Sequence, residues 1–194
     1  DLIYNTPKYG NDDDYADQQA VTVFEIYYDA VNGRPCSRGG VHRINMLPTT
    51  SHVYFGSVTG ATADGRKAFT PLSEGISPSQ GVDSNGPTSV IRSASKIDHL
   101  RTGGTLLNQK FSPSFFDDEN SYNCLTSLIR SYFSLDGHHI QFNVVNAETL
   151  RDAQKHPELY RDLIVRVAGY SDYFNDLGED LQNEIILRTE HESA

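Results

Sequence analysis

Apolar residues recur at helical spacing along several stretches of the chain, and short apolar runs separate them. Ala16, Ala20, Val23, Phe24, Tyr27 and Val31 share one face and predict a helix from about Asp13 to Val31, stopped by Asn32-Gly33. The acidic run Asp12-Asp13-Asp14 stands at its start, where carboxylates cap free N–H groups and meet the positive end of the helix dipole; holding a divalent cation is the alternative use. Leu125, Leu128, Ile129, Tyr132 and Phe133 form the cleanest helical stripe, capped by Ser121 and stopped by Gly137. Pro87 fits the first turn of a helix running to about His99, with Ala94 and Ile97 facing inward. Further helices are predicted over Ala147 to Gln154, before a turn at Pro157, and over Tyr173 to Arg188.

Val53 to Val58, Leu106 to Phe111, His139 to Val145 and Leu163 to Val167 read as strands. Between these elements, Gly33 to Asn45 is a polar, glycine-rich loop, Ala63-Asp64-Gly65 is a turn, and Thr70 to Gly86 is a long ordered loop dense in Ser, Pro and Gly. Strands alternating with helices predict an α/β architecture. The strand, helix, strand order from His139 to Val167 predicts a right-handed parallel crossover.

Composition alters this picture little. With 194 residues, 37% of them hydrophobic and 22% charged, the chain is long enough for one domain with a real core. A net charge of −10 argues against a nucleic-acid footprint, which needs clustered Lys and Arg. No run of about 18 apolar residues predicts a membrane span, and no signal peptide opens the chain. Cys36 and Cys124 form neither a CxxC pair nor a familiar metal spacing, which places the chain in a reducing cytoplasm. His138 and His139 point to opposite faces of a strand, so structural roles are favoured over joint metal chelation. Gln141 lies on the face of His139. The glycine-rich pieces at Gly33 and Gly103 match neither phosphate-binding pattern, and no metal site is expected.

Gly169 is the residue to explain. It follows Leu163-Ile164-Val165, where a buried strand meets a tight turn, and backbone freedom is one reason for a glycine there. The other is chemical: a glycine Cα between two amides can lose a hydrogen atom and hold a planar radical, since no side chain twists the centre out of conjugation. The local residues leave both readings open.

The run Arg166-Val167-Ala168-Gly169-Tyr170-Ser171-Asp172-Tyr173-Phe174 resembles the radical-bearing loop of the glycyl radical enzymes, the family of pyruvate formate-lyase and the anaerobic diol and choline lyases. Other segments resemble the family in order along nearly the whole chain. Among them are Pro48-Thr49-Thr50-Ser51-His52-Val53-Tyr54-Phe55-Gly56, Pro71-Leu72-Ser73-Glu74-Gly75-Ile76-Ser77-Pro78, Gly104-Thr105-Leu106-Leu107-Asn108-Gln109-Lys110-Phe111 and Gly137-His138-His139-Ile140-Gln141-Phe142-Asn143-Val144-Val145. The resemblance implies the C-terminal part of a ten-stranded α/β barrel carrying the glycyl radical loop, with 1–194 a single glycyl radical domain belonging to a larger enzyme. A part cannot close a barrel, so exposed strand edges and apolar helix faces are expected.

The same resemblance implies roles. Gly169 would carry the radical in a dry, closed site, and Arg166 and Tyr170 would support its loop through polar contacts. Arg43, in Gly39-Gly40-Val41-His42-Arg43-Ile44-Asn45, would suit a substrate sulfonate or carboxylate, with a surface arginine as the alternative. No cofactor would be bound; an activating enzyme with an iron–sulfur cluster and S-adenosylmethionine would install the glycyl radical. The radical would pass to a cysteine outside this chain, since neither Cys36 nor Cys124 has a matching context. The implied enzyme is a homodimeric anaerobic lyase that eliminates water, an amine or sulfite from a small molecule. A reading of another class is a non-catalytic radical carrier that replaces a damaged radical domain.

Overall fold

The acidic run behaves as a helix start. In the computed structural model, which describes residues 2–192, a single turn α1 (Leu2–Asn5) precedes α2 (Asp14–Val31), whose Ala16 N–H donates to the Asp13 carboxylate at 3.0 Å. The place of a cation is taken by Lys96, whose ammonium lies 3.1 Å from Asp12 and 2.7 Å from both Asp14 and Asp17. No group of residues able to hold a metal ion occurs among the described residues.

The expected strand at Val53 is instead a helix, α3 (Ser51–Ser57). Its buried positions are His52 and Gly56, four apart on one helical face, while Tyr54 and Phe55 are exposed. Gly56 lies so close to Thr70 and Pro71 that a Cβ would meet their backbone at 2.4–2.5 Å. The hydrophobic pattern misled because the residues that pack here are not the apolar ones.

Helix α4 (Pro87–Ala94) ends before His99, with Ile97 buried just beyond it. Strand β1 (Leu107–Phe111) is buried at every position and leads through α5 (Ser121–Ser134) to β2 (Ile140–Val144), which pairs with it in parallel. Ser121 does not cap α5: its hydroxyl donates to the Phe115 carbonyl, and Asn120 takes the cap position. A two-residue strand, β5 (Glu190–His191), completes the sheet in the order β2-β1-β5.

The crossover predicted from β2 to the next strand does not form. Helix α6 (Ala147–Lys155) leads to β3 (Ile164–Arg166), but β3 makes an antiparallel hairpin with β4 (Ser171–Tyr173) in a separate sheet. The Asn143 side chain explains how β3 sits against β2 without joining it. Its oxygen accepts from the Arg166 N–H and its nitrogen donates to the Arg166 carbonyl, both at 2.7 Å, so a side-chain amide replaces a strand neighbour. The segment predicted as one helix from Tyr173 is likewise a strand end and a short 3₁₀ turn, with α7 (Glu179–Leu187) following.

The three-stranded sheet separates two apolar clusters. Leu107 and Phe111 face the cluster built on α2, α4 and α5, where Phe24, Val90, Ile91, Leu128 and Tyr132 meet. The second cluster joins α6, α7 and the hairpin through Leu150, Ala153, Val165, Val167, Phe174 and Ile185. Exposed Val23, Ile26 and Tyr27 on α2 are the apolar helix face expected of a part.

Candidate functional site

Strand periodicity puts Asn108 and Lys110 of β1 on the face away from Leu107 and Phe111, and puts Gln141 and Asn143 of β2 beside them. All four are at least nine-tenths buried, and the hairpin lies over them. Buried amides must find partners, and they find them in the loop around Gly169.

The hairpin turn is Val167-Ala168-Gly169-Tyr170, closed by a 2.9 Å bond from the Val167 N–H to the Tyr170 carbonyl. Gly169 has φ +82°, the sign that a type II turn requires at its third position. Its N–H donates to Gln141 Oε1 at 3.2 Å, and Arg166 Nε donates to the same oxygen at 2.8 Å. Arg166 also reaches Ser171 Oγ at 3.2 Å. Gln141 Nε2 donates to Asn108 Oδ1, and Asn108 Nδ2 donates to Glu74 Oε2 and to the Val167 carbonyl, the latter at 3.2 Å.

A buried ion pair holds the loop from the other side. Arg188 donates to the Glu184 carboxylate at 2.7 Å, to the Arg166 carbonyl at 3.2 Å and to the Val167 carbonyl at 3.0 Å. Burial alone would raise the Glu184 carboxyl, but Arg188 and His52 beside it hold it down at about 2. Glu74 behaves in the opposite way. Burial pushes its carboxyl up to about 7, against the pull of Arg188, Asn108 and Ser77 and with Glu184 adding to the rise.

Glu74 therefore sets a pH dependence. A carboxyl whose folded pKa is raised favours the fold fully below its unfolded value, about 4.5, and loses that contribution as pH climbs through about 7. Glu74→Gln, neutral at every pH, should gain about 2–3 kcal/mol on the parent between pH 5 and pH 8. Urea unfolding of both proteins at the two pH values measures it. The Glu184 contribution is common to both and cancels, so a difference that does not vary with pH would contradict this assignment.

The structure brings Gly169, Arg166 and Tyr170 together in one hairpin and holds each of them differently. Arg166 anchors the loop through polar contacts. Tyr170 does so through its backbone carbonyl and by packing against the second cluster; its hydroxyl makes no hydrogen bond among the described residues, and burial followed by Asp172 raises its pKa. Val167 and Ala168 are buried, yet Gly169 at the hairpin tip is exposed, and a Cβ added to it would meet Leu106 and Leu47 first. Arg43 stays apart: it is exposed, and its side chain makes no hydrogen bond among the described residues. Asn108, Asn143, Arg188, Glu74 and Glu184 were not legible as site residues. The available signal was a polar alternation, Asn108/Lys110 and Gln141/Asn143, inside otherwise apolar strands.

The described helices include none long and apolar enough to cross a membrane. The family model described as "Glycine radical" matches residues 72–175, and the one described as "Pyruvate formate lyase-like" matches residues 1–56. The chain is 58% identical over 97% of its length to trans-4-hydroxy-L-proline dehydratase of Clostridioides difficile, and 44% identical over 99% to isethionate sulfite-lyase of Oleidesulfovibrio alaskensis. It superposes on the hydroxyproline dehydratase structure with a TM-score of 0.95 at 57% identity over 98% of its length, and on the B12-independent glycerol dehydratase of Clostridium butyricum with 0.94 at 50% identity over 98%. It spans about a quarter of each relative, 24% in every case. The mixed α/β arrangement is thus the one expected of a C-terminal part of the family's ten-stranded α/β barrel. With its radical-domain match covering more than half of the residues and its fold superposing on two dehydratases, the chain belongs to the glycyl radical enzyme family.

Proposed function

We propose that this chain is the radical-bearing part of an anaerobic, cytoplasmic dehydratase and that Gly169 stores the radical. The observation that carries the reading is the setting of Gly169. Its Cα has room for a side chain, with Leu106 Cδ1 at 3.8 Å and Leu47 Cδ1 at 4.0 Å from a built Cβ, so crowding does not demand a glycine. Its φ of +82° favours a glycine, since a side chain there is strained, but the strain is modest, and Asp12, Thr49, Phe69 and Asp136 adopt positive φ in the same chain. Beside that turn preference stands the chemistry of an α-carbon without a substituent, held by its amide in a fixed loop.

In this reading an activating enzyme would pass one electron from its reduced iron–sulfur cluster to S-adenosylmethionine, cleaving it to methionine and a deoxyadenosyl radical that would take the hydrogen atom from Gly169 Cα and leave as deoxyadenosine. A cysteine on the remainder of the enzyme then returns a hydrogen atom to Cα: its S–H bond breaks, the Cα–H bond re-forms, and a thiyl radical is left to act on substrate. The exposed side of the hairpin is where that remainder, and with it the closed site, would sit. The higher identity to a dehydratase than to a sulfite-lyase supports water as the leaving group. Arg43 is available for a substrate carboxylate, and the whole enzyme would act as a homodimer. Similarity across 97% of the chain to a dehydratase, extending well beyond the radical domain, does not favour a separate carrier.

The test is electron paramagnetic resonance of the full-length protein after anoxic treatment with the activating enzyme. A doublet from one α-proton, broadened when the protein is grown on [2-¹³C]glycine, is expected. Absence of any organic radical, or a signal indifferent to the label, would overturn the reading.

A further inference from the structure

Every amide between the radical loop and the sheet is held in one orientation. Gln141 Oε1 receives two N–H donors, from Gly169 and from Arg166, so its other terminus must be the NH2 group. That group donates to Asn108 Oδ1, which turns the Asn108 NH2 toward Glu74 Oε2. The bonds therefore run in a single direction, from the Gly169 N–H through Gln141 and Asn108 to Glu74, where Ser77 Oγ also donates at 3.0 Å. The chain begins on the amide of the residue that stores the radical. All three side chains in it are buried, Glu74 at 2%, Gln141 at 5% and Asn108 at 8% exposure, so water does not compete for these bonds.

We propose that Gln141 is a positioning residue for the glycyl centre, setting the plane of the Gly169 amide through its side-chain oxygen, with Arg166, Asn108 and Glu74 orienting Gln141. The inference rests on Gly169 being the radical site. A planar radical on Cα is stabilised by overlap with the amide nitrogen on one side and the carbonyl on the other. An acceptor on the N–H fixes that nitrogen in the conjugated plane and polarises the N–H bond, so that the nitrogen donates more strongly to the half-filled orbital. Asn108 and Gln141 also reach the Val167 carbonyl, at 3.2 and 3.5 Å, but Asn143 and Arg188 anchor the loop alone, binding the carbonyls and amide of Arg166 and Val167 without touching the Gly169 N–H.

That division of labour makes the proposal testable in the full-length protein with its activating enzyme. Gln141→Ala should change the splitting of the doublet and shorten the radical's anoxic half-life about fivefold, the factor that one net hydrogen bond sustains. Gln141→Glu keeps an acceptor for Gly169 and Arg166 and should restore the parent splitting. Asn143→Ala loosens the loop without removing the acceptor and should also keep it. A Gln141→Ala doublet with the parent's splitting and half-life overturns the proposal, as does an Asn143→Ala protein that reproduces the Gln141→Ala change. Should Gln141→Ala fail to fold, the unaltered protein decides. Double-resonance spectra after transfer to D2O should retain the coupling of a slowly exchanging Gly169 N–H, and its loss on mixing would refute the bond to Gln141. A parent protein with no Gly169 doublet would instead remove the functional reading itself.

Discussion

Replacing Gly169 by alanine should abolish the organic radical while leaving the protein folded. The two effects separate because the site has room. A Cβ would make ordinary contacts with Leu106 and Leu47, at 3.8 and 4.0 Å. The backbone strain of an L-residue at φ +82° costs about 1–2 kcal/mol, which lowers the melting temperature by only a few degrees. The radical has no such tolerance, since a methyl group on Cα pushes against the flanking amides and breaks the planarity that delocalises the unpaired electron. Spin counting after anoxic activation, beside a thermal melt of the same sample, measures both. A doublet surviving in Gly169→Ala would place the radical on another residue.

The largest stability loss is expected at Arg188. Its guanidinium neutralises Glu184, which is 1% exposed, and donates to the carbonyls of Arg166 and Val167. Arg188→Met leaves that carboxylate buried with the Gln80 amide at 3.1 Å and the His52 ring at 3.7 Å as its remaining partners. Breaking a buried pair in this way costs about 3–5 kcal/mol. The double variant Glu184→Leu with Arg188→Met removes both charges and should recover most of the loss, because apolar replacements cost no desolvation. Urea titrations of the parent, single and double variants measure the difference. The single variant should also lose its Glu184 stabilisation at higher pH than the parent does, since the carboxyl no longer has Arg188 to hold its pKa near 2. A loss below about 1 kcal/mol, or a double variant weaker than the single one, would show that the pair contributes little.

Local pattern was enough where one face of an element is apolar and its end is chemically marked. Helices α2 and α5 and strands β1 and β2 lie close to where their periodicity places them, with Asp13 capping α2 as its position predicts. The same logic failed at α3, whose buried face is His52 and Gly56, and at Ser121, whose hydroxyl serves the Phe115 carbonyl. It failed again at β3, because a strand's partner is set by what lies across from it. There the Asn143 side chain takes the bonds of a ladder, leaving β3 to pair with β4.

The motif around Gly169 was enough to point to the family, because a run of neighbours around a glycine is a local signal, and it singled out Gly169 as the candidate for the radical. Tertiary structure alone decided that Gly169 stands at an exposed hairpin tip, that its amide meets Gln141 from a strand 28 residues earlier, and that Glu74 lies at the end of the same hydrogen-bonded chain. Those contacts join residues far apart in the chain through buried amides. Their orientation follows from satisfying each donor and acceptor at once, a condition that exists only after the segments have packed together.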